Sequence, residues 1–278
     1  MKAFAALSVL VFLMVSQAGG YTVRSVAMTA QDIGSLMDFR ETLAVQCMLS
    51  YYYLLTDCAF VTVVEGIEEN NTFGMHFNMT DTVPFYAACD TAACLTLDQI
   101  EIVLYDVLAP PSSQAMNVRV YGSDATGEPS GALLGNRDFT PASAPGAFTT
   151  VVIDFTNGGA VGGLDLSSSR GNFVILLTWT NSTGRPSLVL DNVSTCVGQC
   201  PTNPACCQMG AYPYIYPRTT THTYYYGIAP AFAVTDSIPD PSGAATYGYL
   251  EGFWKSDFCK TSAATVPTTW GSIKAIYR

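Results

Sequence analysis

The stretch FVILLTWT, residues 173–180, decides the fold: six of its eight residues are apolar, and all but the two leucines are β-branched or aromatic. A strand with one wet face alternates apolar and polar residues, and this run does not. A buried helix needs about ten residues or more, but SSSRGN (167–172) and NSTGRP (181–186) close the run on either side. The reading is a central strand covered on both faces.

Six further runs of the same type surround it: FVTVVEGI (60–67), TFGMHFN (72–78), IEIVLYDV (100–107), MNVRVYG (116–122), FTTVVIDF (148–155) and SLVLD (187–191). Between them stand turn clusters such as EENN (68–71), APPSSQ (109–114), SDATGEPSG (123–131) and TNGGAVGG (156–163). Glu65, Glu68 and Glu69 read as a solvated hairpin tip between the first two runs. MNVRVYG alternates, with Asn117 and Arg119 opposed to Val118 and Val120, so it has one wet face. No helical period separates the runs, which makes the sheets antiparallel. The two patterns together predict an all-β fold, a two-sheet antiparallel jelly-roll-like sandwich with disulfide-clipped loops.

The organisation along the chain follows. MKAFAALSVLVFLMVSQAGG opens with Lys2, an apolar run and the small residues Ser16 and Ala18, a cleaved secretory signal over 1–18. The run is too short for a transmembrane span. An N-terminal extension (19–47), the sandwich (48–236), and a linker with a C-terminal tail (237–278) complete the expected division. Charged residues are 12% and the formal net charge is −10, which excludes nucleic acid as a partner because that needs basic patches.

Nine cysteines in an exported chain read as a disulfide framework. The spacing suggests short clips, Cys47 with Cys58 and Cys89 with Cys94. Cys196, Cys200, Cys206 and Cys207 cluster in CVGQCPTNPACC, and Cys259 pairs with Cys206 or Cys207 to tie the C-terminal segment back. Four sequons stand at Asn70, Asn78, Asn181 and Asn192.

The chemistry points to binding. His76 and His222 are the only histidines, neither beside a nucleophile elbow, and no phosphate loop or metalloprotease motif occurs, so no enzyme is expected. His76 alternates with Met75 and Phe77 and reads as a strand residue with a satisfied ring. The segment GAYPYIYPRTTTHTYYYGI (210–228) places Tyr212, Tyr214 and Tyr216 on one face of an extended chain, and Pro213 and Pro217 keep it at an edge. Such rings stack on the apolar faces of sugars. Tyr212, Tyr214, Tyr216 and Arg218, with Trp179, are the candidate ligand-binding residues; an internal aromatic layer and a protein–protein surface compete for the same rings, and the apolar strand around Trp179 competes to make it core. In the second run Tyr224 and Tyr226 face one way and Tyr225 the other. Asp124, Glu128 and Asp191 offer hard oxygen ligands for a structural calcium, the one cofactor considered; good turn formation is the competing reading.

Two stretches resemble known families. VRVYGSDATGEPSGALLG (118–135) is similar to a strand–turn–strand element of secreted bacterial β-sandwich domains of the carbohydrate-binding-module type, with Gly127, Pro129 and Gly131 matching the turn. TTWGSIKAIYR (268–278) resembles a C-terminal surface-sorting tail of exported bacterial proteins. The resemblances imply an exported β-sandwich protein with a surface-sorting or anchoring tail and carry no catalytic residues. Together with the tyrosine row, the expectation is a non-catalytic extracellular or cell-surface protein binding a polysaccharide or glycoprotein. The alternatives are a self-assembling surface or matrix protein and a hydrolase with His222 as base.

Overall fold

The run FVILLTWT folds as a strand, Asn172–Trp179, in the middle of a six-stranded sheet. A computed structural model describes residues 21–28, 32, 47–51, 60–81, 90–92, 94–109, 114–124, 126–156, 162–181, 184–191, 222–228, 236–238, 251–252 and 254–259. In chain order the strands are β1 (Thr22–Ala27), β2 (Cys47–Leu49), β3 (Phe60–Glu65), β4 (Asn71–Asn78), β5 (Thr96–Val107), β6 (Met116–Gly122) and β7 (Leu133–Phe139). They continue with β8 (Ala144–Asp154), β9 (Leu164–Asp165), β10 (Asn172–Trp179), β11 (Ser187–Leu190), β12 (Thr223–Ile228), β13 (Asp236–Ser237) and β14 (Trp254–Phe258).

Six of these form one sheet in the order β13-β12-β4-β10-β6-β7, and the other eight form a second. The fold is the all-β, two-sheet antiparallel sandwich that the sequence predicts. In the eight-stranded sheet β5 has four partners. Ile102 pairs with Val151 of β8 on one edge and Trp254 of β14 on the other, and Leu104 likewise pairs with Thr149 of β8 and Leu188 of β11. β11 and β14 therefore share one edge of β5, end to end, and β8 and β9 share the other. β3 lies in the eight-stranded sheet and β4 in the six-stranded one, so residues 66–70 cross between sheets rather than forming the expected hairpin tip. Asn70 takes a left-handed conformation there (φ 67°).

The core lies between the sheets. Phe73, Met75 and Phe77 of β4 and Phe173, Ile175 and Leu177 of β10 point inward onto Ile100, Ile102 and Leu104 of β5. β10 is covered on its outer face too, where Val174 and Leu176 pack under Tyr226. Trp179 shares the inward parity of Phe173, Ile175 and Leu177, and this corrects its reading as a ligand platform. It is fully buried, its Nε1–H donates to Pro186 O at 2.9 Å, and its ring meets Phe73 edge-on. No ring face is left for a ligand.

The sandwich also reaches past the expected 48–236. β1 pairs with β3 along its whole length, and β14 lies between β5 and β2 inside the sheet. The cysteine pairing is corrected at the same place. Cys94 is bonded not to Cys89 but to Cys259, 165 residues away, with 6.1 Å between Cα atoms. Cys259 is thereby withdrawn from Cys206 and Cys207. The register explains the pairing: Phe258 faces Leu97, and the Cys259 N–H donates to Thr96 O, which sets the two cysteines side by side where the β5–β14 ladder ends. Cys47 is also disulfide-bonded. Cys58, Cys89, Cys196, Cys200, Cys206 and Cys207 lie outside the described residues.

Candidate functional site

Strand alternation places Gly74 and His76 of β4, Val174 and Leu176 of β10, Arg119 and Tyr121 of β6, and Tyr224 of β12 on the outer face of the six-stranded sheet. Gly74 leaves room for a ring: a Cβ there would lie 2.6 Å from Tyr226 Cε2 and 2.7 Å from Leu176 Cδ2. A register shift between Tyr225 and Gly227 lays Tyr226 into that space, while Tyr225 turns inward onto Phe73. Tyr224 and Tyr226 share the outer face, as their alternation predicts.

A loop, residues 123–131, folds back over these rings. Its neck is two strands of backbone in contact: the Gly131 N–H donates to Gly122 O at 2.8 Å, and the Gly122 N–H to Ala132 O at 3.1 Å. At its tip Gly127 has φ +80° and sits against His76 and Tyr224, and its carbonyl accepts the Tyr226 hydroxyl at 2.9 Å. Burial pushes the Tyr226 phenol up, followed by Tyr224 and Glu128, so it stays a donor. Tyr226 is buried, whereas Tyr121 and Tyr224 are only half-buried. A polar row lies beside them. Arg119 Nη2 donates to Thr178 Oγ1 at 3.0 Å, Thr178 and Thr72 hydroxyls are 2.8 Å apart, and Asn117 Nδ2 donates to Asn136 Oδ1 and Asp138 Oδ1 at 2.6 and 2.7 Å.

The two histidines meet at one corner of this face, where the His76 N–H donates to His222 O at 2.8 Å. The His222 ring stacks on Tyr51, with centroids 3.5 Å apart. Its Nδ1 lies 3.0 Å from Glu251 Oε1, and its Nε2 faces Asp81 Oδ2 at 3.9 Å. Glu251 is held in turn by the His222 N–H and the Thr223 hydroxyl. Asp81 accepts from the Tyr51 hydroxyl at 2.8 Å. Burial first, then the Asp81 charge, raises the Tyr51 phenol and keeps it a donor. A carboxylate-oriented imidazole is half of an acid–base dyad. Here its other nitrogen faces a carboxylate rather than a hydroxyl.

His76 is a strand residue as predicted, and its buried Nε2 has no hydrogen-bond partner of good geometry among the described residues. Burial, then neighbouring His222, holds its pKa below the ordinary 6.5, against the opposing pull of Asp81, Asn172 and Asp124. The unfolded chain therefore binds the proton more readily than the native one, and stability falls as pH drops below about 6.5 toward the depressed native value. Urea midpoints at pH 8 and pH 5 should fall further for the wild type than for His76→Gln. An equal fall in both would remove His76 from this role.

The sequence-predicted site residues that are described do not share one place. Tyr212, Tyr214, Tyr216 and Arg218 lie outside the described residues. Asp191 is fully buried and accepts the Glu251 N–H at 2.9 Å, so its carboxylate fastens the chain at the end of β11 rather than facing an ion at the surface. Asp124 Oδ1 is occupied by the N–H and hydroxyl of Thr126, and Glu128 is exposed. Among the described residues no three histidine, cysteine, aspartate or glutamate side chains converge as metal ligands. Tyr121 and Tyr224 were missed as a pair because they belong to strands about a hundred residues apart. The signal for Tyr121 was the alternation itself, which puts it on the face of Asn117 and Arg119. No helix among the described residues is long and apolar enough to cross a membrane.

No protein-family model matches the chain, and comparison with curated proteins gives no match.

Proposed function

We propose that the protein is a non-catalytic extracellular binding protein that takes a glycan, on a polysaccharide or a glycoprotein, against the outer face of the six-stranded sheet. The observation that carries this reading is the pair of half-buried rings, Tyr121 and Tyr224, standing beside a hydrogen-bonded row of Arg119, Asn117, Asn136 and Asp138. Their strands are three spacings apart across the sheet, about 14 Å. Sugars need this combination: rings for their C–H faces and fixed polar groups for their hydroxyls. Loop 123–131 stiffens the platform, because Gly127 fixes Tyr226, and Tyr226 packs against Tyr224 at 6.0 Å between centroids. Export through the segment 1–18 belongs to the same reading.

The test is binding to a glycan array and to insoluble polysaccharides, with the Tyr121→Ala/Tyr224→Ala variant beside the mature chain. At roughly 1 kcal/mol per stacked ring, the variant should bind at least about tenfold more weakly while remaining folded by far-ultraviolet circular dichroism. Unchanged binding would move the site off this face. A parallel Tyr212→Ala/Tyr214→Ala/Tyr216→Ala variant shows whether the tyrosine segment takes its place.

A further inference from the structure

We propose that the protein pairs with a second copy of itself through β8, edge to edge and antiparallel across a twofold axis, so that the eight-stranded sheet runs from one molecule into the next. Strand β8 spans 11 residues, about 37 Å; β5 fills one of its edges without a break from Gln99↔Asp154 to Tyr105↔Phe148, and Ala144 pairs with Val107 beyond a register shift. No described strand pairs with the other edge. Proteins usually blunt such an edge with a charge, a proline or a short strand. The other outer strands are blunted: β7 carries Arg137 and Asp138, β2 is three residues long, β9 and β13 are two, and β1 has Arg24 ion-paired to Glu65 at its centre. From Ala147 to Ile153, β8 has no charge, proline or glycine, and Val152 is 55% exposed.

The partner follows from self-complementarity. A twofold antiparallel pair keeps each side chain on its own face only if the facing residue numbers have the same parity. Centred on Thr150, the register sets Thr150 against itself and Phe148 against the exposed Val152, both favourable cross-strand pairs. The one charged residue of the strand, Asp154, falls opposite Gly146, not opposite its own copy. Gly146 has open space around it, with nothing within 4 Å of a Cβ, and Pro145 ends the pairing there. A chain of net charge −10 thus meets itself without opposing like charges at the seam. The seam lies in the sheet that does not carry the tyrosine face, so pairing and glycan binding stand or fall separately.

Sedimentation of the mature chain over a range of concentrations tests this. The wild type should shift from monomer to dimer as concentration rises. Thr150→Lys and Thr150→Glu, both at an exposed outward position, should each remain monomeric while folded by circular dichroism. Mixed one to one, the two variants should regain the dimer, because the register brings the introduced lysine against the introduced glutamate. A wild type monomeric up to its solubility limit overturns the proposal, as does a Thr150→Lys variant that still dimerises. A dimer that survives as a double-mass band on denaturing gel electrophoresis without reductant is thiol-linked between copies and overturns it equally. So does mass-spectrometric detection of a different, strand-forming peptide bound in place of a second copy.

Discussion

Replacing Cys94 and Cys259 by serine should lower the unfolding free energy by about 3–5 kcal/mol in urea denaturation without reductant. The bond joins positions 165 residues apart, so breaking it frees a long stretch of the unfolded chain. Chain-entropy arithmetic puts the effect for such a loop at about 5 kcal/mol. The native side of the balance is local. Cys259 directly follows β14, whose five residues are all buried, and its N–H already bonds to Thr96 O. The ladder holds the two cysteines together with or without the bond, so the native fold should survive the replacement. The loss then appears mainly as a lower midpoint at similar cooperativity. A change under about 1 kcal/mol would mean that the unfolded chain keeps these segments together by other means.

Gly74→Ala should cost about 3 kcal/mol, the upper range for forcing atoms into a packed site. Two of the three contacts that the new methyl would make are to side chains, Tyr226 and Leu176. These can move. The third is to Ile175 O at 2.7 Å, in the backbone of the neighbouring β10, which can yield only by straining the ladder. The substitution should also lift Tyr226 and break its bond to Gly127 O, loosening loop 123–131 over the tyrosine face. A Tyr226→Leu change in the same chain should recover part of the loss but not the backbone part, so the two substitutions should be non-additive. Near-ultraviolet circular dichroism reads the ring displacement, and urea unfolding reads the cost. Full additivity would mean that Tyr226 does not occupy the space Gly74 leaves.

The seven runs that are rich in β-branched and aromatic residues all became strands, because burial between two sheets selects such residues. The sequence hid β14. Its five residues WKSDF hold two charges and read as tail, yet Lys255 is buried with its Nζ 2.8 Å from Glu101 Oε1 on β5. A charge pair satisfied across strands looks, in one dimension, like a solvated loop. The Cys94–Cys259 bond was hidden for the same reason, since it depends on which strands are neighbours. The corner of His76, His222, Tyr51, Asp81 and Glu251 draws on segments up to about 200 residues apart, which no local spacing reveals. Parity along single strands was legible: it set Tyr225 on the face opposite Tyr224 and Tyr226, and the packing then shows that Tyr225 is the inward one.

The position of β5 bears on when the molecule can become itself. Among the described strands, its edge along residues 97–102 is filled by β14 alone, the last of them in the chain. During synthesis that edge waits until residue 258 has been made, long after its other neighbours have emerged. Contacts this distant along the chain are slow to form, on the millisecond-to-second scale of β-sandwiches. The eight-stranded sheet is therefore completed from the C-terminal side, and a chain ending before β14 leaves its longest strand half bare.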